Sequence, residues 1–223
     1  MNHMLPFKDR RDAGIQLASA LIRNNLLSET VVVFGIPRGG MVTADEVAKS
    51  LSAPLDALVA RKIRAPHQPD LGIGAVALDG DNYFINEELA RIVEATPDYL
   101  DSEISLQKHA IEESTRIYRG ARPPMEVFNK VVLVIDDGIV TGYTFRAALQ
   151  NLLLRRPARL IAVAPVATEK SIELIRPVTD EIVCIEISDF FSSVGALYSS
   201  FDSISDSEVV DILTRNWAEH KGS

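Results

Sequence analysis

Hydrophobic positions along the chain follow two rhythms. Ile15, Ala18, Leu21 and Ile22 recur at helical spacing, as do Met41, Ala44, Val47, Ala48 and Leu51, and later Phe145, Ala148, Leu149, Leu152 and Leu153. One apolar stripe per turn predicts three amphipathic helices. Between them lie short apolar runs that do not alternate with polar residues: Val31-Val32-Val33-Phe34, then residues 55–60 (interrupted only by Asp56), 131–135 and 160–166. Such runs, bounded by Gly, Pro or charged residues, predict strands buried on both faces. Residues 73–78 and Tyr83-Phe84-Ile85 predict two strands joined by the turn Asp79-Gly80-Asp81-Asn82. Residues 97–118 read as a polar, exposed helix ended by Gly120 and Pro123-Pro124. A short helix ending near Pro177, a strand over 181–185 and a last helix opened by Ser205 and Glu208 in capping-box spacing complete the series.

Strand and helix alternate, and the core strands are apolar throughout. The expected fold class is therefore α/β: a doubly wound, mainly parallel sheet. Ligands of such sheets bind beyond the carboxyl ends of strands, so the loops after residues 34, 60 and 135 are the places to look for chemistry.

Composition narrows the partners. A length of 223 residues suits one domain with a core that needs no staples. Cys184 is the only cysteine, which excludes an internal disulfide or a cysteine-based zinc site; at a strand end it reads as a small buried hydrophobe. With 23 basic and 31 acidic residues the formal charge is −8, against a DNA-binding surface. No apolar run approaches the roughly 18 residues of a membrane span, and Met1-Asn2-His3-Met4 lacks a signal-peptide core. The expectation is a cytoplasmic protein with neither DNA nor membrane as partner.

The most informative stretch is Val131-Val132-Leu133-Val134-Ile135-Asp136-Asp137-Gly138-Ile139-Val140-Thr141-Gly142-Tyr143-Thr144. A buried strand ends in two carboxylates, a glycine loop follows, and an amphipathic helix begins near Phe145. Backbone N–H groups at a helix N-terminus, with the hydroxyls of Thr141 and Thr144, suit a phosphate. Asp136 and Asp137 can accept hydrogen bonds from vicinal hydroxyls, as an acidic residue does in dinucleotide folds. Asp-Asp-Gly alone is also an ordinary turn signal; the ordered string, strand first and helix after, is what singles the segment out.

This string resembles the signature of the type I phosphoribosyltransferases, which use phosphoribosyl pyrophosphate. The resemblance runs over roughly residues 7–213 and is nearest to a poorly characterised bacterial and archaeal subgroup. It implies a core over about 28–187 and a small hood from about 1–27 and 188–223. It also implies that Asp136 and Asp137 hold the ribose hydroxyls and that Val140, Thr141, Gly142, Tyr143 and Thr144 hold the 5′-phosphate. Gly35-Ile36-Pro37-Arg38-Gly39-Gly40 resembles the family's pyrophosphate loop, in which an Arg-Gly peptide is often cis. Arg61-Lys62-Ile63-Arg64, at the end of the predicted second strand, resembles the basic element that meets the pyrophosphate. By the same resemblance Arg38, Asp136 and Asp137 are the catalytic candidates. Arg38, Gly39, Gly40, Arg61 and Lys62 bind pyrophosphate, and Phe190, Phe191 and Tyr198 in the hood are candidates to stack on an acceptor base. Residues 66–70, with His67 among them, resemble the mobile loop that closes over the site. Mg²⁺ would accompany the substrate with no dedicated protein ligand, Asp136 and Asp137 reaching it through water. The implied partners are phosphoribosyl pyrophosphate and a small nitrogenous acceptor, in nucleotide metabolism. A homodimer is also implied, with residues 97–118 as its candidate contact.

The chain departs from the hypoxanthine-guanine enzymes at Val140, where those place an aspartate as general base; a valine moves no proton. Gly72-Ile73-Gly74-Ala75-Val76-Ala77 matches a loose dinucleotide fingerprint, but the sequence leads into a strand rather than a helix. Two rivals stay open: a non-catalytic sensor of phosphoribosyl pyrophosphate or nucleotide, and a phosphatase with an aspartyl nucleophile.

Overall fold

The computed structural model describes residues 7–23, 30–77, 83–191 and 193–220. The elements are α1 (Arg10–Arg23), β1 (Val31–Gly35), α2 (Gly39–Leu51), β2 (Leu55–Ala57), β3 (Ala60–Ala65), β4 (Gln68–Ala77) and β5 (Tyr83–Ile85). They continue as α3 (Glu87–Ile92), α4 (Pro97–Arg119), β6 (Val131–Ile135), α5 (Tyr143–Leu153), β7 (Arg159–Ala167), α6 (Glu169–Ile175), β8 (Glu181–Ile187) and α7 (Asp206–Glu219). Five strands form a parallel sheet in the order β2-β1-β6-β7-β8, and β3-β4-β5 form a separate antiparallel sheet.

The unbroken apolar strands follow from burial on both sides. Val33, Leu133, Ile135, Ile161 and Val163 point into one core with α1, α2 and α7, while Val32, Phe34, Val132, Val134, Leu160 and Ala162 point into the other with α5 and α6. Successive side chains of a strand face opposite ways, so a strand covered on both faces needs an apolar residue at every position.

Several expectations need correcting. The predicted strand over 55–60 is two elements: β2 ends at Ala57, and Ala60 begins β3 in the other sheet. Arg61 and Lys62 thus lie within a strand rather than at the end of one. Residues 68–70 are the start of β4, paired with β3, so the stretch expected to be a loop is a hairpin turning at Pro66-His67, with His67 at φ 61°. In α1 the buried face is Ala13, Gly14, Leu17, Ala18 and Leu21; Ile15 and Ile22 are exposed. Leu153 is likewise exposed, whereas Phe145, Ala148, Leu149 and Leu152 are buried as expected. The polar helix α4 buries Glu103, Ile104, Gln107, Ile111 and Tyr118, so it is surface on one side only. The turn over 79–82 lies outside the described residues. Among these residues no helix is long and apolar enough to cross a membrane.

Some local readings agree with the structure. Gly120 caps α4, and Ser205 and Glu208 exchange both capping-box hydrogen bonds at the start of α7. Gly72 and Gly74 lie inside β4, where a phosphate-binding turn has no place. Cys184, expected buried at a strand end, is instead half-buried in the middle of β8 at the edge of the second core, and desolvation pushes its thiol up to about 12.

Candidate active site

The sheet order reverses between β1 and β6. From β1 the chain passes through α2 to β2 on one side, and β6 passes through α5 to β7 on the other. The two loops that follow these strands therefore diverge from one crevice, the usual ligand position of an open parallel sheet. They are in contact. Ile36 N donates to Ile135 O at 2.9 Å. A Cβ on Gly39 would sit 1.9 Å from Asp137 Oδ2, and one on Gly40 would sit 2.7 Å from Asp136 Oδ1. Both contacts exclude a side chain, so Gly39 and Gly40 are required by the approach of the acidic pair.

Asp136 and Asp137 leave the carboxyl end of β6 side by side. Asp136 Oδ1 accepts from Asp137 N at 2.8 Å. Desolvation, and then the neighbouring Asp137 carboxylate, hold the Asp136 carboxyl well above the usual carboxylate range. Asp137 Oδ2 accepts from Arg10 Nε at 2.6 Å, and Asp137 O accepts from Tyr198 Oη at 2.7 Å. Arg10 begins α1 and Tyr198 lies near the C-terminus, so the two chain ends meet over the acidic pair. They are stitched together by Ser199 N to Phe7 O and Ser200 N to Lys8 O, both 2.9 Å.

The loop after the acidic pair is anchored from below. Ile139 N donates to Val166 O at 2.9 Å, Thr168 Oγ1 to Val140 O at 2.8 Å and Ser171 Oγ to Ile139 O at 3.0 Å. Gly142 adopts φ 76° at the N-cap of α5, a conformation natural to glycine. The first turn of α5 carries no acidic side chain, so its free amides face outward uncompensated, an arrangement that suits an anion. Thr141 is exposed and Thr144 partly so. The Tyr143 ring turns away toward β5, its hydroxyl accepting from Asn86 Nδ2 at 2.7 Å and its ring 5.6 Å from that of Phe84. Beside the loop lies a cavity of about 470 Å³ lined in part by Val140, Thr141, Thr168 and Lys170.

On the other side of Arg38 a cleft of about 940 Å³ runs between the β3–β4 hairpin and α4. Arg38 is exposed, Arg61 Nη2 donates to Ser114 Oγ at 3.2 Å and Lys62 Nζ to Asp70 O at 2.9 Å. None of the three is ion-paired among the described residues. Arg64 differs: Glu103 of α4 grips it twice, Nε to Oε1 at 2.6 Å and Nη2 to Oε2 at 3.1 Å, so its charge ties β3 to α4. The cis peptide is Pro37–Arg38, one residue earlier than the resemblance implied.

The aromatic candidates separate. Phe191 and Tyr198 are buried in a cluster with Phe7 and Ala13, the Tyr198 ring 5.4 Å from Phe7 and 5.0 Å from Phe201. Phe190 is fully exposed. Arg10, Asn86 and Lys170 were missed from the sequence. The Arg10 contact spans 127 positions, and no local pattern announces such a pairing.

Among the described residues no group of three or more His, Cys, Asp or Glu side chains could hold a metal. The acidic pair nevertheless suits a hydrated cation: two adjacent carboxylates have one guanidinium beside them, bonded to Asp137 alone, and burial together with the Asp137 charge holds the Asp136 carboxyl raised.

Comparisons with known proteins identify the family. A Thermus thermophilus protein of solved crystal structure matches with a TM-score of 0.77 at 35% identity, covering 94% of this chain and 98% of that one. An Aquifex aeolicus protein shares the fold at 14% identity and a TM-score of 0.51, covering 92% of this chain and 84% of that one. Two Mycobacterium tuberculosis proteins, from strains CDC 1551 and H37Rv and both provisionally named phosphoribosyl transferases, are 36% identical over 209 residues. That stretch is 94% of this chain and 46% of theirs, so the chain spans about half the length of the curated relatives it matches. The family description "phosphoribosyl transferase domain" matches residues 7–200. With its parallel sheet, its acidic strand end and its glycine loops, the chain belongs to the phosphoribosyl transferase domain family, with the type I fold.

Proposed function

We propose that the protein transfers ribose 5-phosphate from phosphoribosyl pyrophosphate to a nitrogenous acceptor, with a nucleobase the first class to test, and releases pyrophosphate. The observation that carries this reading is the contact between Gly39-Gly40 and Asp136-Asp137. It supports a reading in which a carboxylate pair, the helix start that follows it and an exposed arginine share one crevice, as the three parts of that donor would require.

In this reading the amides at the start of α5, with Thr141 and Thr144, hold the 5′-phosphate. Asp136 and Asp137 accept from the ribose hydroxyls. Arg38, Arg61 and Lys62 face the pyrophosphate, with Gly39 and Gly40 leaving room for it. When C1′–O breaks, the bonding pair leaves on pyrophosphate and positive charge grows on the sugar carbon. Carboxylates beside the ribose and cations beside the leaving group stabilise both changes. The acceptor nitrogen then bonds to C1′ and loses its proton to the departing pyrophosphate or to solvent water. Val140 takes no part in that transfer. Asp136 and Asp137 would hold, through water, a Mg²⁺ ion bound with the substrate, which would supply positive charge to the pyrophosphate oxygens. The N- and C-terminal segments that meet at Phe7 and Tyr198 form the hood, and Phe190 is its ring open to an acceptor.

The test is pyrophosphate release from phosphoribosyl pyrophosphate and Mg²⁺ against purines, pyrimidines, orotate, nicotinate and simple amines. Stoichiometric release with one acceptor class is expected. Donor binding without release for any acceptor turns the reading to a sensor, and absence of donor binding refutes it.

A further inference from the structure

Arg10 is the one cationic side chain that reaches the acidic pair among the described residues, and it comes from the chain end rather than from the loops around the crevice. Its guanidinium is fixed on three sides. Nε donates to Asp137 Oδ2 at 2.6 Å, Nη1 donates to Asp202 O at 2.7 Å, and the Phe201 ring centroid lies 3.6 Å from Cζ. The side chain is 9% exposed and that of Asp137 14%. This is not the loose surface pair that contributes little.

The consequence lies in how it divides Asp137. Oδ2 is pinned by Arg10 and wedged against Gly39, where even a methyl group would not fit. Oδ1 receives no hydrogen bond from a cation, amide or hydroxyl of the described residues, and the carboxylate lies within hydrogen-bond reach of the Asp136 carboxyl beside it. A carboxylate fixed at one oxygen, with no cation, amide or hydroxyl bonded to the other, is pre-set to accept from a hydroxyl. Without Arg10 it could rotate and expose either oxygen. Holding the geometry before the ligand arrives lowers the ordering cost of binding.

We infer that Arg10 is the positioning residue of the acidic pair, orienting Asp137 for the ribose hydroxyls and tying that orientation to the Phe201–Asp202 segment. This rests on the phosphoribosyl reading above. It assigns Arg10 no contact with the substrate: its effect passes through Asp137.

A double-mutant cycle tests this. Binding of phosphoribosyl pyrophosphate with Mg²⁺, and of inorganic pyrophosphate with Mg²⁺, is measured by titration calorimetry for the wild type, Arg10→Met, Arg10→Lys, Asp137→Asn and the Arg10→Met/Asp137→Asn double variant. Arg10→Met should weaken phosphoribosyl pyrophosphate at least about tenfold, yet leave inorganic pyrophosphate within about twofold, which also shows that the variant is folded. Arg10→Lys should recover part of the loss, since an ammonium keeps the charge but lacks the planar fork that spans Asp137 and Asp202. In the Asp137→Asn background, loss of Arg10 should add less than about twofold, the non-additivity of two residues acting as one unit. Full additivity, an equal loss for both ligands, or unchanged donor binding in Arg10→Met overturns the role of Arg10 alone. A wild-type protein that binds no phosphoribosyl pyrophosphate overturns the phosphoribosyl reading and this inference with it.

Discussion

Asp136 serves binding at the expense of the free fold. Its carboxyl sits where burial and the Asp137 charge both favour the protonated form. A carboxyl raised in the folded state gives its full stabilisation below the ordinary carboxylate pKa. That contribution is lost as the pH rises through the raised value. Wherever both carboxyls are ionised, the pair is therefore a strain on the empty site. Asn at this position keeps the acceptor for Asp137 N and removes the charge. Asp136→Asn is expected to melt higher than the wild type at pH 7 in chelator, by a few degrees, since roughly 1 kcal/mol moves Tm by about 2–4 °C in a chain of this size. Scanning calorimetry checks it, and the difference should close as the pH falls below the raised pKa. A lower Tm at pH 7 would mean that the Asp136 charge is better balanced than the geometry indicates. The acidic pair itself was legible in the sequence because its chemistry is local: strand, two carboxylates, glycine loop, helix. Arg10 was not, because an ion pair across the whole chain leaves no periodicity to read.

The elements that frame the crevice are held by a few polar anchors at their ends. Arg119 of α4 places two N–H groups on Asp56 Oδ2 of β2, at 2.9 and 3.2 Å, and Glu103 grips Arg64 of β3. Asn216 of α7 accepts from Leu55 N at 2.8 Å and donates to Ala53 O at 3.1 Å. These contacts explain why the polar helix over 97–119 is not free surface, although its composition reads that way. They also explain the misplaced β3: the run over 55–60 is apolar throughout apart from Asp56, and only the transfer of the chain to a second sheet at Ala60 divides it. The α7 start, in contrast, was readable because a capping box is complete within four residues. Ser205→Ala removes the side-chain acceptor of Glu208 N at 3.2 Å and should lower stability by about 1 kcal/mol, or about 2–4 °C in Tm. Ser205→Asp, which restores an acceptor, should recover most of it. Thermal unfolding followed by circular dichroism distinguishes this from an uncapped helix, for which Ser205→Ala would leave Tm unchanged.

Across the molecule, a net charge of −8 coexists with a cleft whose Arg38, Arg61 and Lys62 have no carboxylate partner among the described residues. Beside that cleft, the crevice is built from two loops about 100 positions apart in sequence and from backbone amides that carry no formal charge. The fold class was legible because a doubly covered parallel sheet writes itself as unbroken apolar runs. The proximity of the two loops followed only from the strand order, in which β1 and β6 are neighbours. The central claim is that this junction holds the ribose of phosphoribosyl pyrophosphate, and the most direct measurement is titration of that compound with Mg²⁺ into the wild type and the Asp136→Asn/Asp137→Asn protein. Hydrogen bonds to charged groups contribute about 1.5–3 kcal/mol each, so saturable one-to-one binding by the wild type should weaken at least about tenfold in the double variant. Equal affinity of the two proteins, or no binding by the wild type, would contradict it.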